Sequence, residues 1–97
     1  MANIVVSQRA ETELQAIWRV IANEKPAAAD RILLAIDDKI GRLRVFPDLG
    51  VPRDDIRSSM PMLIEGNYLI LYKHLKAKSF VEIVSVIDGR RDLKNWP

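Results

Sequence analysis

The chain opens with a four-residue β-branched stretch, Asn3-Ile4-Val5-Val6, which stops at Ser7 and predicts a short strand. After Ser7, apolar residues recur at Ala10, Leu14, Ile17 and Ile21, a 4-3-4 spacing that lines one face of a helix. Glu11, Glu13, Gln15 and Arg19 lie off that stripe. Ser7 suits the N-cap, where a hydroxyl accepts a hydrogen bond from the next turn. The predicted helix runs over about 8–23 and ends before Pro26, because a residue preceding proline is pushed out of α space. Pro26 fits the first turn of a second helix, where its missing N–H costs nothing. Ala29, Ile32, Leu33, Ile36, Ile40 and Leu43 keep helical period to about Val45, and Phe46-Pro47 stops it. Two amphipathic helices joined by so few residues form an antiparallel hairpin.

The pattern then breaks. Residues 47–61, PDLGVPRDDIRSSMP, hold three prolines and one glycine and predict a stiff loop with at most one short turn. Met62 to Ile64 reads as a short strand and Glu65-Gly66-Asn67 as a turn. Tyr68 to His74 is a long apolar strand, Leu75 to Ser79 a polar hairpin loop, and Phe80 to Ile87 a second long strand. Tyr68, Ile70 and Tyr72 share one face, Leu69 and Leu71 the other. Apolar residues on both faces predict strands covered on both sides. The order is β-α-α-β-β-β: a single α+β two-layer domain over 1–97, with an N-terminal helical hairpin packed on a small, mostly antiparallel sheet.

Composition narrows the function classes. At 97 residues, roughly 60–70% of the unfolded surface can be buried, enough for one modest core. There is no cysteine and one histidine, so neither a disulfide framework nor a thiolate or His-rich metal site is expected, and no cofactor. The first ten residues lack a basic segment followed by a long apolar one, so a cytoplasmic protein without a membrane partner is expected. The net charge is +2 and the pI about 9.2. This is a mild basic bias that admits an acidic partner.

Arg90 and Arg91 follow Gly89, which is expected to turn the chain with positive φ. Paired arginines at a strand end fork onto phosphates or carboxylates. The plainer reading pairs Arg90 with Asp88, Asp92 or Glu82. His74 is expected to be solvated beside Lys73, Lys76 and Lys78, with no nucleophile signature around it. Tyr68 and Tyr72 either offer phenols to a partner or stand half-buried with hydroxyls at the rim. Trp18, flanking the first stripe, is core edge or part of a partner groove. Trp96, next to last, either docks back on the domain or meets a partner. Arg53 and Arg57, with Asp54 and Asp55, are either a solvated loop or cations fixed on a stiff one.

Helical hairpin before sheet, FPDLG followed by PRDDIR, GNYLILY (Gly66 to Tyr72) and IDGRRDL (Ile87 to Leu93) together resemble the ParE branch of the RelE/ParE toxin superfamily. The resemblance spans Ile4 to Leu93. It implies the toxin of a type II toxin–antitoxin module, neutralised by a ParD-like antitoxin with which it represses their operon. The ParE branch poisons DNA gyrase, whereas RelE-type toxins cleave messenger RNA with a cationic cluster and a C-terminal Tyr or His. Here no Tyr or His follows Gly89. That favours a non-enzymatic gyrase inhibitor with no catalytic residues, touching DNA only through gyrase or the antitoxin complex. A RelE-like ribonuclease and a degenerate toxin that keeps only antitoxin binding are the alternatives. On this reading Arg90, Arg91, Trp96, Arg53 and Arg57 face the target. Trp18, Leu14, Ile21, Tyr68 and Tyr72 line the antitoxin groove.

Overall fold

The computed structural model describes residues 1–53 and 57–90, with the backbone alone at 53 and 57–59. Strand β1 (Asn3–Val6) leads into helix α1 (Gln8–Ala22), and α2 (Pro26–Gly41) returns beside it. Ser7 caps α1 by accepting the Ala10 N–H at 3.0 Å, and Pro26 starts α2, as the sequence predicts. A 3-10 turn, Arg42–Arg44, follows α2. Then come β2 (Val51–Arg53), β3 (Arg57–Glu65), β4 (Tyr68–Leu75) and β5 (Phe80–Asp88).

These strands make one five-stranded sheet in the order β1-β5-β4-β3-β2. The first and last strands lie side by side and parallel, and the other neighbours are antiparallel. The helical pair packs on one face, so the architecture is the α+β two-layer domain expected. It carries one strand more than expected. Residues 47–61, read as loop, contain β2 and the first half of β3.

The core lies between hairpin and sheet. Ala10, Ile36, Ile40 and Leu43 from the helical side meet Ile70, Tyr72, Val81, Ile83 and Val86. On the other face Met60, Met62, Leu69 and Leu71 form a second buried cluster. Both faces of β4 are therefore covered, which its unbroken apolar run requires.

The join between α1 and β5 is polar. The β4–β5 register passes from Tyr72↔Ile83 to Leu71↔Ser85, so Val84 is an extra residue, a β-bulge. A bulge strands backbone groups, and Ser7 and Glu13 supply their partners. Ser7 donates its hydroxyl to the Val84 carbonyl at 2.9 Å. One carboxylate oxygen of Glu13 takes the Ser85 hydroxyl at 2.7 Å and the Val86 N–H at 3.0 Å. Ser85 is fully buried. Glu13, which falls off the apolar stripe, is thus the tether of the helix to the bulged strand rather than a solvated charge.

Candidate functional site

Two surfaces stand out, at opposite ends of β4. At the Tyr68 end, α1 and the ends of β4 and β5 enclose a cavity of about 240 Å³. Its apolar wall is Ile17, Val20, Ile21, Tyr68 and Val86, and Glu13, Asp88 and Arg90 supply its polar groups. Beside it on the helical hairpin, Leu14, Trp18 and Leu33 line a shallower notch with Gln15 and Arg19. Trp18 is 41% exposed, and its indole N–H donates to Asp30 of α2 at 3.0 Å. It therefore lies at the surface of the helical hairpin and ties the two helices together. Val20 and Leu34 are also exposed on these helices.

Of the residues expected in a groove, Leu14 and Trp18 line the notch, and Ile21 and Tyr68 line the cavity. Tyr72 does neither. It is fully buried, and its hydroxyl accepts the Gly50 N–H at 2.8 Å. This corrects the expectation that both phenols stand at the rim. Burial pushes the Tyr72 phenol up from its ordinary pKa, and the Gly50 hydrogen bond offsets part of that.

Arg90 resolves onto Asp88. Its Nε reaches Oδ1 at 2.9 Å, its Nη2 reaches Oδ2 at 2.7 Å, and its backbone N–H also donates to Oδ1 at 2.9 Å. This fork pushes the guanidinium pKa up further, so Arg90 is a permanent cation at the cavity mouth. Gly89 corrects another expectation, because among the described residues Gly66 is the glycine with positive φ. Gly89 serves close approach instead: its N–H donates to Asn67 O at 2.6 Å, and an added Cβ would sit 3.1 Å from that oxygen. Arg53 and Arg57 face each other across the β2–β3 ladder, by backbone alone. Arg91 and Trp96 lie outside the described residues.

The other end of β4 holds what the sequence reading missed. His74 is not solvated: its side chain is 14% exposed, and Nδ1 lies 2.8 Å from Asp48 Oδ1. The His74 hydrogen bond holds the Asp48 carboxyl below the usual carboxylate range. Two residues on, Gly50 lies against the Tyr72 ring, where an added Cβ would come within 2.6 Å of a ring carbon. The segment between α2 and β2 is thus pinned to β4 at two points. The FPDLG motif was the available signal, since a glycine after an aspartate in a proline-led turn marks a constrained backbone. Nothing in the spacing pairs Asp48 with a histidine 26 residues away.

His74 and Arg90 do not meet. His74 pairs with Val81 and Tyr68 with Asp88, so the two groups flank opposite ends of the hairpin. Six steps of about 3.3 Å separate Tyr68 from His74, roughly 20 Å. Among the described residues no cluster of three metal-ligating side chains occurs. No helix among them is long and apolar enough to cross a membrane.

Known structures share the architecture. A chromosomal ParDE toxin–antitoxin system from P. aeruginosa matches at TM-score 0.75 and 18% identity, covering 91% of this chain and 96% of that one. The toxin–antitoxin complex RelBE2 from Mycobacterium tuberculosis matches at TM-score 0.68 and 21% identity, covering 90% and 96%. Likeness at such identities speaks for the fold alone. Among curated proteins none matches the sequence. The family model described as the ParE toxin of the type II toxin–antitoxin system, parDE, matches residues 4–93, nearly the whole chain, and the chain belongs to that family as the toxin component of a RelE/ParE-type system.

Proposed function

We propose that this toxin acts by binding, as an inhibitor of DNA gyrase without turnover of its own, and that a ParD-like antitoxin neutralises it. The observation that carries the reading is the separation of His74 from Arg90. RelE-type cleavage works on one phosphate, with a general base set beside its C-terminal cationic cluster. Here the histidine is committed to Asp48 at one end of the hairpin and the fixed arginine to Asp88 at the other. Roughly 20 Å lies between them, more than one phosphodiester can span.

The antitoxin is assigned to the Tyr68 end. The α1 cavity and the Trp18 notch both draw apolar walls from α1, with cationic and anionic groups at their margins. They suit a segment that orders on binding and buries an apolar face. The test compares two purified reactions of the full chain: supercoiling by gyrase, and cleavage of messenger RNA on programmed ribosomes. Inhibited supercoiling with intact message is expected. Cleaved message with unimpaired supercoiling overturns the reading.

A further inference from the structure

The segment Val45–Val51, from the end of the 3-10 turn into the first residue of β2, is built backwards for a solvated turn. Its polar groups find partners within the chain, although the Asp48 side chain is itself 69% exposed. The Val45 and Phe46 N–H groups both donate to Arg42 O, and that of Leu49 donates to Phe46 O. The Gly50 N–H goes to Tyr72 and the Asp48 carboxylate to His74. Its apolar groups face water: Val45 is 59% exposed, Phe46 62%, Leu49 45% and Val51 66%. Four large apolar side chains are thus exposed within one short segment, and exposed apolar patches mark interaction surfaces. The pinning matters as much as the exposure. A loop fixed in advance loses little freedom on docking.

The charge around the segment says what covers it. Asp48, its acidic residue, is engaged by His74. Arg44 lies just before Val45, and Lys76 is close enough to lower the Asp48 pKa through its charge. Neither cation has an ion-pair partner among the described residues. An apolar centre with a basic rim complements an apolar recess with an acidic rim, the anatomy of a protein interface. We propose that the Val45–Val51 knuckle is the surface with which this toxin docks on an acidic, apolar-centred patch of its protein target. His74 and Tyr72 act as positioning residues for it. The knuckle lies at the far end of β4 from the cavity assigned to the antitoxin. The inference rests on the gyrase reading only for the protein used as probe.

The test uses the full chain and the double variant Phe46→Ser/Leu49→Ser. Both side chains are exposed, so an unchanged melting temperature and retained capture of a ParD-like antitoxin show that the fold survives. The variant should need at least tenfold more toxin for half-inhibition of gyrase supercoiling. Arg44→Glu/Lys76→Glu should lose several-fold. Wild-type inhibition by the folded Phe46→Ser/Leu49→Ser variant overturns the knuckle while leaving the gyrase reading standing. If the wild-type chain does not inhibit gyrase, that reading fails, and growth arrest on induction judges the knuckle alone. A harmless variant then supports it, and an equally toxic one overturns it. Binding of labelled duplex DNA by the wild type that the double variant loses would make the surface a nucleic-acid site and overturn the proposal. So would a wild-type dimer that the variant breaks without loss of inhibition, because the occupant would then be a second copy.

Discussion

Replacing Glu13 by alanine probes the join that holds the helical layer on the sheet. The change removes the acceptor of two hydrogen bonds at once, from the buried Ser85 hydroxyl at 2.7 Å and the Val86 N–H at 3.0 Å. Hydrogen bonds to a charged group contribute about 1.5–3 kcal/mol each in net terms. Both meet on one oxygen, and the neighbouring cavity can admit water to the vacated donors, so the pair is worth the lower end, about 2–3 kcal/mol. A domain of this size loses about 4–8 °C per kcal/mol, giving a fall in Tm of roughly 10–20 °C. Glu13→Gln keeps an acceptor in place and should lose about half as much. Ser85→Ala in the Glu13→Ala background removes one orphaned donor, so the double-mutant cycle should show coupling of about 1 kcal/mol or more. Thermal unfolding followed by circular dichroism measures all four corners. A Glu13→Ala variant that melts within about 2 °C of wild type, or a cycle that closes to zero, refutes the tether.

Gly50→Ala drives a methyl into the Tyr72 ring and should cost about 1–3 kcal/mol in urea unfolding, as overpacking does. Tyr72→Phe orphans the Gly50 N–H and should cost about 1–2 kcal/mol in the same assay. The His74 hydrogen bond depresses the Asp48 pKa, so its contribution is present above the unfolded carboxylate value of about 3.9 and is lost as pH falls through the folded value. The stability gap between wild type and Asp48→Asn should therefore close on acidification below about pH 4, and a gap that persists there refutes the pairing. Trp18→Ala should weaken capture of a ParD-like antitoxin about thirtyfold, the equivalent of about 2 kcal/mol, measured by calorimetry. A stability loss with unchanged affinity would instead make Trp18 a core residue.

The helical half was legible because its signals are local. An amphipathic stripe, a capping serine and a proline at the first turn all act within a few residues of the structure they specify. The β2–β3 pairing was not legible because its signal is hidden under prolines, which cannot donate to a ladder. Pro52 and Pro61 sit opposite each other in that pairing. They are tolerated because β2 is an edge strand, and because the β3–β4 ladder begins only at Met62. The α1–β5 tether was missed for a different reason. In the sequence Glu13 is only a residue off the apolar stripe; a bulge, for which the sequence offers no marker, leaves donors for it to accept from. Arg90 was half legible: Asp88 was one of three carboxylates within reach, and only geometry selects it.

The placement of the two surfaces constrains how neutralisation works. Relay of a signal between distant sites requires an intervening element with two arrangements of similar energy. What lies between the α1 cavity and the knuckle is the central strand β4, from Tyr68 to His74. It is hydrogen-bonded to β5 along its length and to β3 over Tyr68–Leu71, and it is buried on both faces as far as Tyr72. A strand so held has one arrangement, because slipping it by a residue would exchange every core side chain with the opposite face. On the proposed assignment of the two surfaces, an antitoxin seated at the cavity does not silence the knuckle through the sheet. It has to reach it, crossing roughly 20 Å along the outside of the domain, which six or more extended residues span. An antitoxin trimmed to the segment that fills the cavity should then still bind tightly yet leave toxin activity intact. Full neutralisation by that trimmed segment would show that the two ends of β4 communicate after all.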